Sequence, residues 1–268
     1  MTQIASRQNP RLKALRKLHG KRERERSGLF VAEGEDLIAA AAQSGWSAVE
    51  GYRLAGTGLG GEGFLDVERT SLAAVSALGS GTRVLGVYEQ RWGVPAGPLC
   101  VYMHGVGDPG NVGTVLRSAH AFGASCVALG PGCADPYSPK AVRASMGALF
   151  SVALARVDDV AALPGERIAL LADVGETLES VARDRARELT LLIGSERDGL
   201  PREIVEACER VARIPIASDS LNAAMAATVA LYEITRSRTL AAREGAGDAV
   251  PAPGGAIAGD RGTRVRGR

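Results

Sequence analysis

The second part of the chain alternates short apolar runs with helical patterns, and this regularity limits its fold more than any other feature. Four apolar runs of strand length lie at 99–103, 126–129, 168–172 and 189–193. Amphipathic patterns typical of helices lie between and after them, at 112–122, 141–149, 178–187, 201–209 and 221–240. Runs that are apolar throughout are typical of parallel strands covered on both faces. The sequence therefore predicts an α/β domain built on a parallel sheet.

A smaller α/β unit precedes this alternation. A helix is predicted over 10–26, and strand and helix patterns alternate from there to residue 88. Residues 92–98 contain two prolines and two glycines, a composition that favours a domain boundary. Beyond residue 242 the chain is rich in Ala, Gly, Pro and Arg without apolar periodicity, which predicts a disordered tail. We therefore expect three parts, at 1–95, 96–242 and 243–268.

Composition excludes several classes of protein. The 268 residues are 46% hydrophobic and 23% charged, as in an ordinary globular protein. No apolar run approaches the roughly 18 residues of a membrane span, and the first residues carry no apolar leader, so we expect a cytoplasmic protein without a membrane segment. The four cysteines form no C-x-x-C pair and the three histidines lack ligand spacing, which argues against a metal site and a disulfide framework.

The formal net charge of +2 conceals a basic N-terminal segment. Residues 1–30 hold nine Lys or Arg against two Glu. Four of these cations recur at helical spacing beside an apolar stripe, namely Lys13, Arg16, Lys17 and Arg24. Such a local excess of positive charge favours contact with nucleic acid, although a solvated helix face has a similar composition.

A glycine-rich segment at 104–117 follows the first strand of the larger unit and opens a helix. It matches the G-x-G-x-x-G dinucleotide fingerprint. The next strand ends in Gly-Pro without the acid that would bind a ribose, and Pro109 removes an amide from the turn, so a nicotinamide enzyme is disfavoured. Arg117 lies two turns into the helix and can reach back toward the helix N-terminus, where anions bind well.

Two further polar segments follow later strands. Residues 194–201 read Gly-Ser-Glu-Arg-Asp-Gly-Leu-Pro and place Glu196 at the carboxyl end of a strand, where open parallel sheets bind ligands. Residues 214–224 begin Ile-Pro-Ile and continue through Ser220-Leu-Asn into a helix of very small residues. Ser220 is a fair N-cap for that helix. The small side chains allow a close approach to another backbone or to a ligand.

Together and in this order, the three segments resemble the signature motifs of the SpoU/TrmH RNA ribose 2′-O-methyltransferases of the SPOUT superfamily. The resemblance covers about 99–240. Near the N-terminus, Ile-Ala-Ser-Arg-Gln-Asn-Pro at 4–10 and Phe-Val-Ala-Glu-Gly at 30–34 also resemble a small ribosomal-protein-like domain. That domain often precedes this catalytic unit and binds substrate RNA.

The resemblance implies a sheet whose C-terminal part is threaded as a deep trefoil knot, with S-adenosyl-L-methionine bound within it. It implies a homodimer joined through the catalytic domain and an enzyme that methylates a ribose 2′-hydroxyl of RNA. Ribosomal RNA, 23S rRNA first, is favoured over tRNA because tRNA-specific relatives more often carry short terminal extensions. The alternatives are a non-catalytic RNA-binding or ribosome-assembly protein on the same fold and a tRNA 2′-O-methyltransferase.

Matching the motifs residue by residue implies roles for nine residues. Arg117 corresponds to the family's catalytic arginine, which contacts the phosphate of the target nucleotide. The other residues implied in catalysis are Asn111, Glu196, Ser220 and Asn222. Those implied in cofactor binding are Gly194, Ile214, Leu221 and Asp173, the last an acid where the family often has Thr. Neutralising an arginine at pH 7 costs roughly 7 kcal/mol. We therefore expect Arg117 to act mainly as a phosphate clamp that positions the hydroxyl.

Overall fold

The computed structural model describes residues 3–77, 81–183, 188–218 and 220–247, with side chains as far as residue 240. The first unit carries a four-stranded sheet. Its elements are α1 (Pro10–Lys17), α2 (Lys21–Ser27), β1 (Leu29–Glu33), α3 (Glu35–Gln43), β2 (Glu50–Leu54), β3 (Leu65–Val67), α4 (Arg69–Ala73) and β4 (Val84–Glu89). The strand order is β1-β4-β2-β3, with β4 antiparallel to both neighbours and β3 parallel to β2.

The predicted single helix over 10–26 is wrong, because the chain forms two helices there. Gly20 has an extended backbone, with φ −85° and ψ 135°, and begins α2. Glycine costs about 1 kcal/mol in a helix interior, so a break at this position is inexpensive. The break lets Leu12, Leu15 and Leu18 pack against the sheet of the first unit, where all three are buried.

The break also changes the surroundings of Arg24. The sequence pattern groups this residue with exposed cations, but its side chain is 3% exposed and forms an ion pair with Asp135 at 2.8 Å. Its guanidinium also donates to the carbonyl oxygens of Leu18 and His19, at 2.9 and 2.7 Å. A buried cation has to be paired and hydrogen-bonded, and these contacts satisfy that requirement. Arg24 therefore joins the two units and is not part of the exposed basic face.

The second unit confirms the predicted parallel sheet, which has seven strands in the order β7-β6-β5-β10-β8-β11-β9. Three strands were not predicted, β7, β9 and β11, because they are short and carry charged residues at one or both ends. The elements of this unit are β5 (Leu99–Met103), α5 (Pro109–Ala121), β6 (Cys126–Leu129), α6 (Pro139–Ala144), β7 (Ala153–Arg156), β8 (Glu166–Leu171), β9 (Glu176–Thr177), α7 (Leu178–Arg183), β10 (Leu189–Ile193), α8 (Arg202–Glu206), β11 (Arg210–Arg213) and α9 (Ala223–Gly247).

Alternate residues of each central strand face opposite sides of the sheet. In β5, Val101 belongs to a core shared with α5, α7 and α9, whereas Tyr102 belongs to a second core closed by α8. Both residues are fully buried, which explains why the run is apolar throughout.

An aromatic cluster connects the two units, and we call it the domain junction: Phe30, Trp46 and Tyr88 from the first unit and Tyr137 and Phe150 from the second. The ring centroids of Phe30 and Tyr137 are 4.7 Å apart, and those of Tyr88 and Phe150 are 5.3 Å apart. These rings belong to the same hydrophobic cluster as the helices of the parallel sheet. The two units therefore share this core, and the first unit has a second core of its own that includes Leu12 and Leu15.

The tail predicted from residue 243 starts inside α9, which continues to Gly247. Alanine, arginine and glutamate at 241–244 are good helix formers, which explains the extension. The rest of the predicted tail, 248–268, lies outside the described residues. Among the described helices, none combines the length and apolar character needed to span a membrane.

Candidate functional site

Loops that follow three parallel strands surround a cleft of about 310 Å³. In the sheet register Ile193 lies opposite Leu170, and Leu170 lies opposite Ala212, so β10, β8 and β11 end side by side. The lining residues are Leu170, Leu171, Ala172, Ile193, Gly194, Ser195, Glu196, Arg197, Asp198, Gly199, Ile214, Ile216, Ser220, Leu221, Ala223 and Ala226. Aliphatic side chains line one part of the cleft and the polar 195–198 loop lines another. This combination is typical of a site for a small organic ligand.

The loop after β10 folds back on itself at Gly194. Ser195 and Gly199 exchange backbone hydrogen bonds of 3.2 and 3.1 Å, and the Ser195 hydroxyl accepts a bond from the Asp198 amide at 3.0 Å. A Cβ on Gly194 would lie 2.1 Å from the carbonyl carbon of Gly199. Only glycine fits there, so this residue keeps the backbone of the loop against the cleft.

The glycine-rich segment before α5 is held by a capping contact. The Asp108 carboxylate accepts a hydrogen bond from the backbone amide of Asn111 at 3.0 Å and one from the Lys140 ammonium at 2.7 Å. The hydrogen bond from Lys140 is the largest cause that lowers the pKa of Asp108. Asp108 therefore stays ionised as the N-cap and fixes the start of the helix that carries Asn111 and Arg117.

Three residues predicted from different motifs meet beside the cleft. The Asn111 side-chain amide donates to the Glu196 carboxylate, and its oxygen accepts from the Asn222 amide at 3.2 Å. The Asn222 side-chain oxygen in turn accepts from the backbone amides of Ala224 and Met225, at 3.0 and 3.3 Å. The chain of hydrogen bonds connects the loops after β5, β10 and β11, and we call it the Asn–Glu–Asn network.

Asn222, and not Ser220, caps α9. The sequence makes Ser220 a fair N-cap, but the bonds to Ala224 and Met225 come from Asn222. The signal was present in the sequence, since asparagine is as good an N-cap as serine and stands closer to the helix. Ser220 is thereby left exposed on the wall of the cleft, where its hydroxyl faces solvent or a ligand.

Arg117 lies on the exposed side of α5, two turns from the helix start. Within the part of the chain that the structure describes, its guanidinium forms no hydrogen bond and no ion pair. An arginine without a protein partner keeps its N–H donors for an anion, which suits a phosphate.

Three of the four residues predicted to bind the cofactor line the cleft, and the fourth lies next to it. Gly194, Ile214 and Leu221 line the cleft. Asp173 is exposed and directly follows Ala172, which is the last residue of its loop to line the cleft. A role for Asp173 therefore stays a prediction.

Several lining residues were not predicted from the sequence. Leu170 and Leu171 end β8, and Ala223 and Ala226 lie in the first turn of α9. Ordinary core residues have the same composition, so no local signal separates them from the rest of the core. Among the described residues, no group of three or more His, Cys, Asp or Glu side chains is arranged to hold a metal ion.

Comparison with protein families gives two matches. The sequence profile of the SpoU rRNA Methylase family matches residues 98–232, about half of the chain. The MRM3-like substrate binding domain matches residues 9–78.

Three relatives match nearly the whole chain. The 23S rRNA (guanosine(2553)-2′-O)-methyltransferase RlmP of Bacillus subtilis is 26% identical, over 87% of this chain and 99% of its own length. The AdoMet-bound rRNA methyltransferase from Sinorhizobium meliloti is 30% identical with a TM-score of 0.79, over 88% of this chain and 97% of that one. The SpoU methyltransferase AviRb from Streptomyces viridochromogenes, in complex with AdoMet, is 28% identical with a TM-score of 0.74, over 87% of this chain and 99% of that one.

These matches confirm the resemblance carried by the three motifs. The family profile spans the parallel sheet and all the loops that form the cleft. The solved structures reproduce the arrangement of both units. The chain therefore belongs to the SpoU rRNA methylase family.

Proposed function

We propose that this protein transfers a methyl group from S-adenosyl-L-methionine to the 2′-hydroxyl of a ribose in 23S rRNA. The observation that carries the proposal is the Asn–Glu–Asn network, which holds polar groups from three loops at the border of a largely aliphatic cleft. The names of the relatives support the substrate class, and AdoMet-bound relatives of the same fold support the cofactor.

The cleft fits a ligand of this kind. Its volume of about 310 Å³ is at the lower end of the range for small-molecule sites. Ile214 and Leu221 offer apolar walls, and the close approach at Gly194 leaves backbone groups within reach of an adenosine. When bound, S-adenosyl-L-methionine supplies a methyl group on a positively charged sulfur.

The polar residues would bind the target nucleotide and orient its ribose. Arg117 would hold the phosphate of the target nucleotide through paired N–H donors, which positions the ribose hydroxyl. The exposed Glu196 carboxylate, already held by Asn111, keeps free lone pairs for a ribose hydroxyl. Ser220 and Asn222 border the same position and complete its orientation. Aliphatic walls exclude water from the charged sulfur, and this favours the transfer because charge is neutralised as it proceeds.

The first unit, 1–95, is proposed to bind the RNA. Lys13, Arg16 and Lys17 are exposed, in contrast to Arg24, and they lie on or near the outer face of α1. The match to a substrate-binding domain supports this division. The proposed ribosomal substrate also supports the expectation of a cytoplasmic protein.

We further propose a homodimer that forms through α9. Met225, Val229 and Tyr232 recur at spacings of four and three on one face of this helix and are 62%, 41% and 52% exposed. Such an apolar stripe is typical of a surface covered by another protein. The neighbouring α5 contacts α9 through Ser118 and Thr228, whose hydroxyl oxygens are 2.6 Å apart. A second copy on α9 would thus come near Arg117, which supports a site that draws on both subunits.

Sedimentation tests the dimer. Val229→Arg should give monomers at concentrations where the unmodified protein sediments as a dimer. Val49→Arg is the matched control, because Val49 is a similarly exposed valine of the first unit. A monomeric unmodified protein, or a dimer that tolerates Val229→Arg, would contradict this interface.

The trefoil knot stays a prediction from the family. The strand order supports it, because β10 lies between the earlier strands β5 and β8 and the chain then continues to β11.

Methyl transfer tests the function. Labelled S-adenosyl-L-methionine is incubated with unmodified 23S rRNA, 16S rRNA or bulk tRNA, using the full chain, Arg117→Ala and Arg202→Ala. We expect label in 23S rRNA that is lost in Arg117→Ala and kept in Arg202→Ala, whose side chain is 89% exposed and paired with Glu206. Label in tRNA alone would identify the tRNA alternative. Absence of both label and cofactor binding would favour a non-catalytic RNA-binding protein.

A further inference from the structure

Two arginines lie over the indole rings of the two tryptophans of the chain. The guanidinium carbon of Arg91 is 3.9 Å from the ring centroid of Trp46, and that of Arg156 is 4.1 Å from the ring centroid of Trp92. Both stacks border the domain junction, with Arg91 and Trp92 in the connection between the units. At this distance a guanidinium is attracted by the face of the indole ring.

The indole rings are themselves held in place. The Trp46 indole N–H donates to the Phe150 carbonyl at 2.9 Å, and the Trp92 indole N–H donates to the Gln90 side chain at 3.3 Å. Trp92 also packs edge-on against Tyr137, with ring centroids 5.2 Å apart. Each arginine is therefore stacked on a surface that is fixed by the protein.

Both guanidinium groups are open to a ligand. Arg91 and Arg156 are exposed, and neither side chain has a hydrogen bond or an ion pair with any residue that the structure describes. Stacking occupies one face of each planar group and leaves its N–H donors at the edge. That edge matches the two oxygens of a phosphate.

The nearby carboxylates are mostly engaged elsewhere. Asp135 pairs with the buried Arg24, and Glu25 pairs with Lys21 at 3.7 Å. Asp158 lines the same groove as Arg156 without an ion pair to it among the described residues. Neither Asp135 nor Glu25 therefore neutralises Arg91 or Arg156 through an ion pair.

The stacks flank the proposed catalytic site. Arg156 ends β7, so it lies at the same edge of the parallel sheet as the cleft. Three strand steps separate β7 from β10, which places Arg156 roughly 14 Å from the end of β10. Tyr137 contacts both stacks, because its hydroxyl hydrogen-bonds with the backbone of Arg91 and its ring packs against Trp92.

Concave surfaces accompany the two arginines. A pocket of about 380 Å³ is lined by Trp46, Arg91 and Trp92, and a groove of about 160 Å³ is lined by Trp92 and Arg156.

We propose that Arg91 and Arg156 bind phosphodiester groups of the RNA strand that flanks the target nucleotide. The inference rests on the proposed function, since it takes RNA as the substrate. It adds a second contact region between the first unit and the cleft. We call it the stacked-arginine site.

Intrinsic fluorescence provides a direct test, because both tryptophans belong to the stacked-arginine site. A short oligouridylate is titrated into the full-length protein and the tryptophan emission is followed. RNA that binds beside the indoles should change their emission, whereas inorganic phosphate at the same phosphate concentration should not. An equal response to inorganic phosphate would assign the site to a free anion and overturn the proposal.

Substitutions test the contacts. Arg91→Gln with Arg156→Gln should weaken RNA binding about tenfold or more, because both substitutions remove charge-assisted hydrogen bonds to phosphate. The slope of log affinity against log salt should decrease by about 1.4, because two phosphate contacts to a single strand are lost. The lysine pair, Arg91→Lys with Arg156→Lys, should recover the slope but only part of the affinity.

A matched control has the same change of charge elsewhere. Arg183→Gln with Arg202→Gln removes two exposed arginines whose partners are glutamates of their own helices. This control should leave the affinity within about twofold. Equal affinity and salt slope in the Arg91/Arg156 glutamine pair and the unmodified protein would overturn the stacked-arginine site alone.

Cofactor binding separates this inference from the proposed function. Calorimetry with S-adenosyl-L-methionine should give the same affinity for the unmodified protein, for the glutamine and lysine pairs at Arg91 and Arg156, and for the control pair. An unmodified protein that binds neither the cofactor nor RNA would overturn the proposed function together with this site.

Discussion

The contact between the two units and the outer side of α5 give their arginines opposite surroundings. Between the units, Arg24 is 3% exposed and donates to Asp135 and to two backbone carbonyls. On α5, Arg117 is exposed and has no partner among the described residues. The same side chain is thus part of the protein's framework in one region and available to a ligand in the other.

The difference follows from the cost of burial. A charge removed from water has to be paired and hydrogen-bonded within the protein, so the partners of Arg24 are supplied by the fold itself. A ligand-binding group must keep its donors until the ligand arrives. Hydrogen bonds in the Asn–Glu–Asn network therefore connect residues that position one another, such as Asn111 and Asn222, whereas Arg117, the proposed phosphate ligand, has no partner among the described residues.

The junction also explains how the two units cooperate. Phe30 contacts both Tyr137 and Phe150, at centroid distances of 4.7 and 6.1 Å, within one continuous core. The unit proposed to bind RNA is therefore packed directly against the unit that carries the cleft.

The largest expected effect comes from breaking the junction at Arg24. Arg24→Ala removes the cation from a largely buried ion pair and leaves Asp135, whose side chain is 12% exposed, only its hydrogen bond from the Tyr137 amide, so we expect a loss of about 3–5 kcal/mol in the free energy of unfolding. Urea unfolding measures this loss of stability. Arg202→Ala, which removes an exposed ion pair, is the control and should cost less than about 1 kcal/mol. Equal losses in the two variants would contradict the distinction between the buried and exposed arginines.

Arg117→Lys tests the other arginine. Lysine keeps the charge but not the paired donors, so we expect RNA affinity within a few-fold and a fall in kcat of about a hundredfold, equal to about 2.7 kcal/mol. Single-turnover methyl transfer measures it, with urea unfolding as the check that stability is unchanged. Near-normal turnover would refute the clamp role of Arg117.

Asn222→Ala tests whether a residue of the cleft also supports the fold. It removes the cap of α9 and one member of the Asn–Glu–Asn network, so we expect a loss of about 1 kcal/mol in unfolding free energy together with reduced kcat. Asn222→Asp is the matched variant, because it can cap the helix but cannot donate to Asn111. It should restore stability and not kcat; restoration of both would show that Asn222 acts only as a cap.

The smallest effect concerns a surface ion pair that belongs to neither region. The hydrogen bond from Arg167 is the main cause that lowers the pKa of Glu209 from 4.5 to about 2. A lowered pKa stabilises the fold above pH 4.5, and this contribution is lost as the pH falls toward about 2. Glu209 is 44% exposed, so solvent screening should keep the contribution below about 1 kcal/mol.

Unfolding free energies of the unmodified protein and Glu209→Gln, compared between pH 7 and pH 2, measure this contribution. The difference between the two proteins should shrink on acidification. A difference that grows would reverse the sign of the effect.

Much of the molecule could be predicted from local sequence. The runs at 99–103 and 189–193 are apolar because both faces of a central parallel strand are buried, and that requirement is visible without knowing the partners. The three motifs identified the residues of the Asn–Glu–Asn network, because glycines and short polar residues after strands are needed at such loops.

Other features depended on contacts that no local pattern records. Glycine at position 20 divided a predicted helix, and this turned Arg24 toward Asp135, which is 111 residues away in the chain. Asn222, one residue before α9, took the cap that Ser220 was expected to provide.

The sequence by itself determined which segments must be buried and which residues carry the chemistry, because hydrophobic periodicity and residue type act locally. Only the tertiary structure decided which of them meet. It placed β10 between β5 and β8, and so brought Glu196 to Asn111 across 85 residues of sequence. It also stacked Arg91 on Trp46 and Arg156 on Trp92. The physical reason is that a buried polar or charged group must be paired, whereas strand order and helix packing decide which residue lies close enough to pair with it.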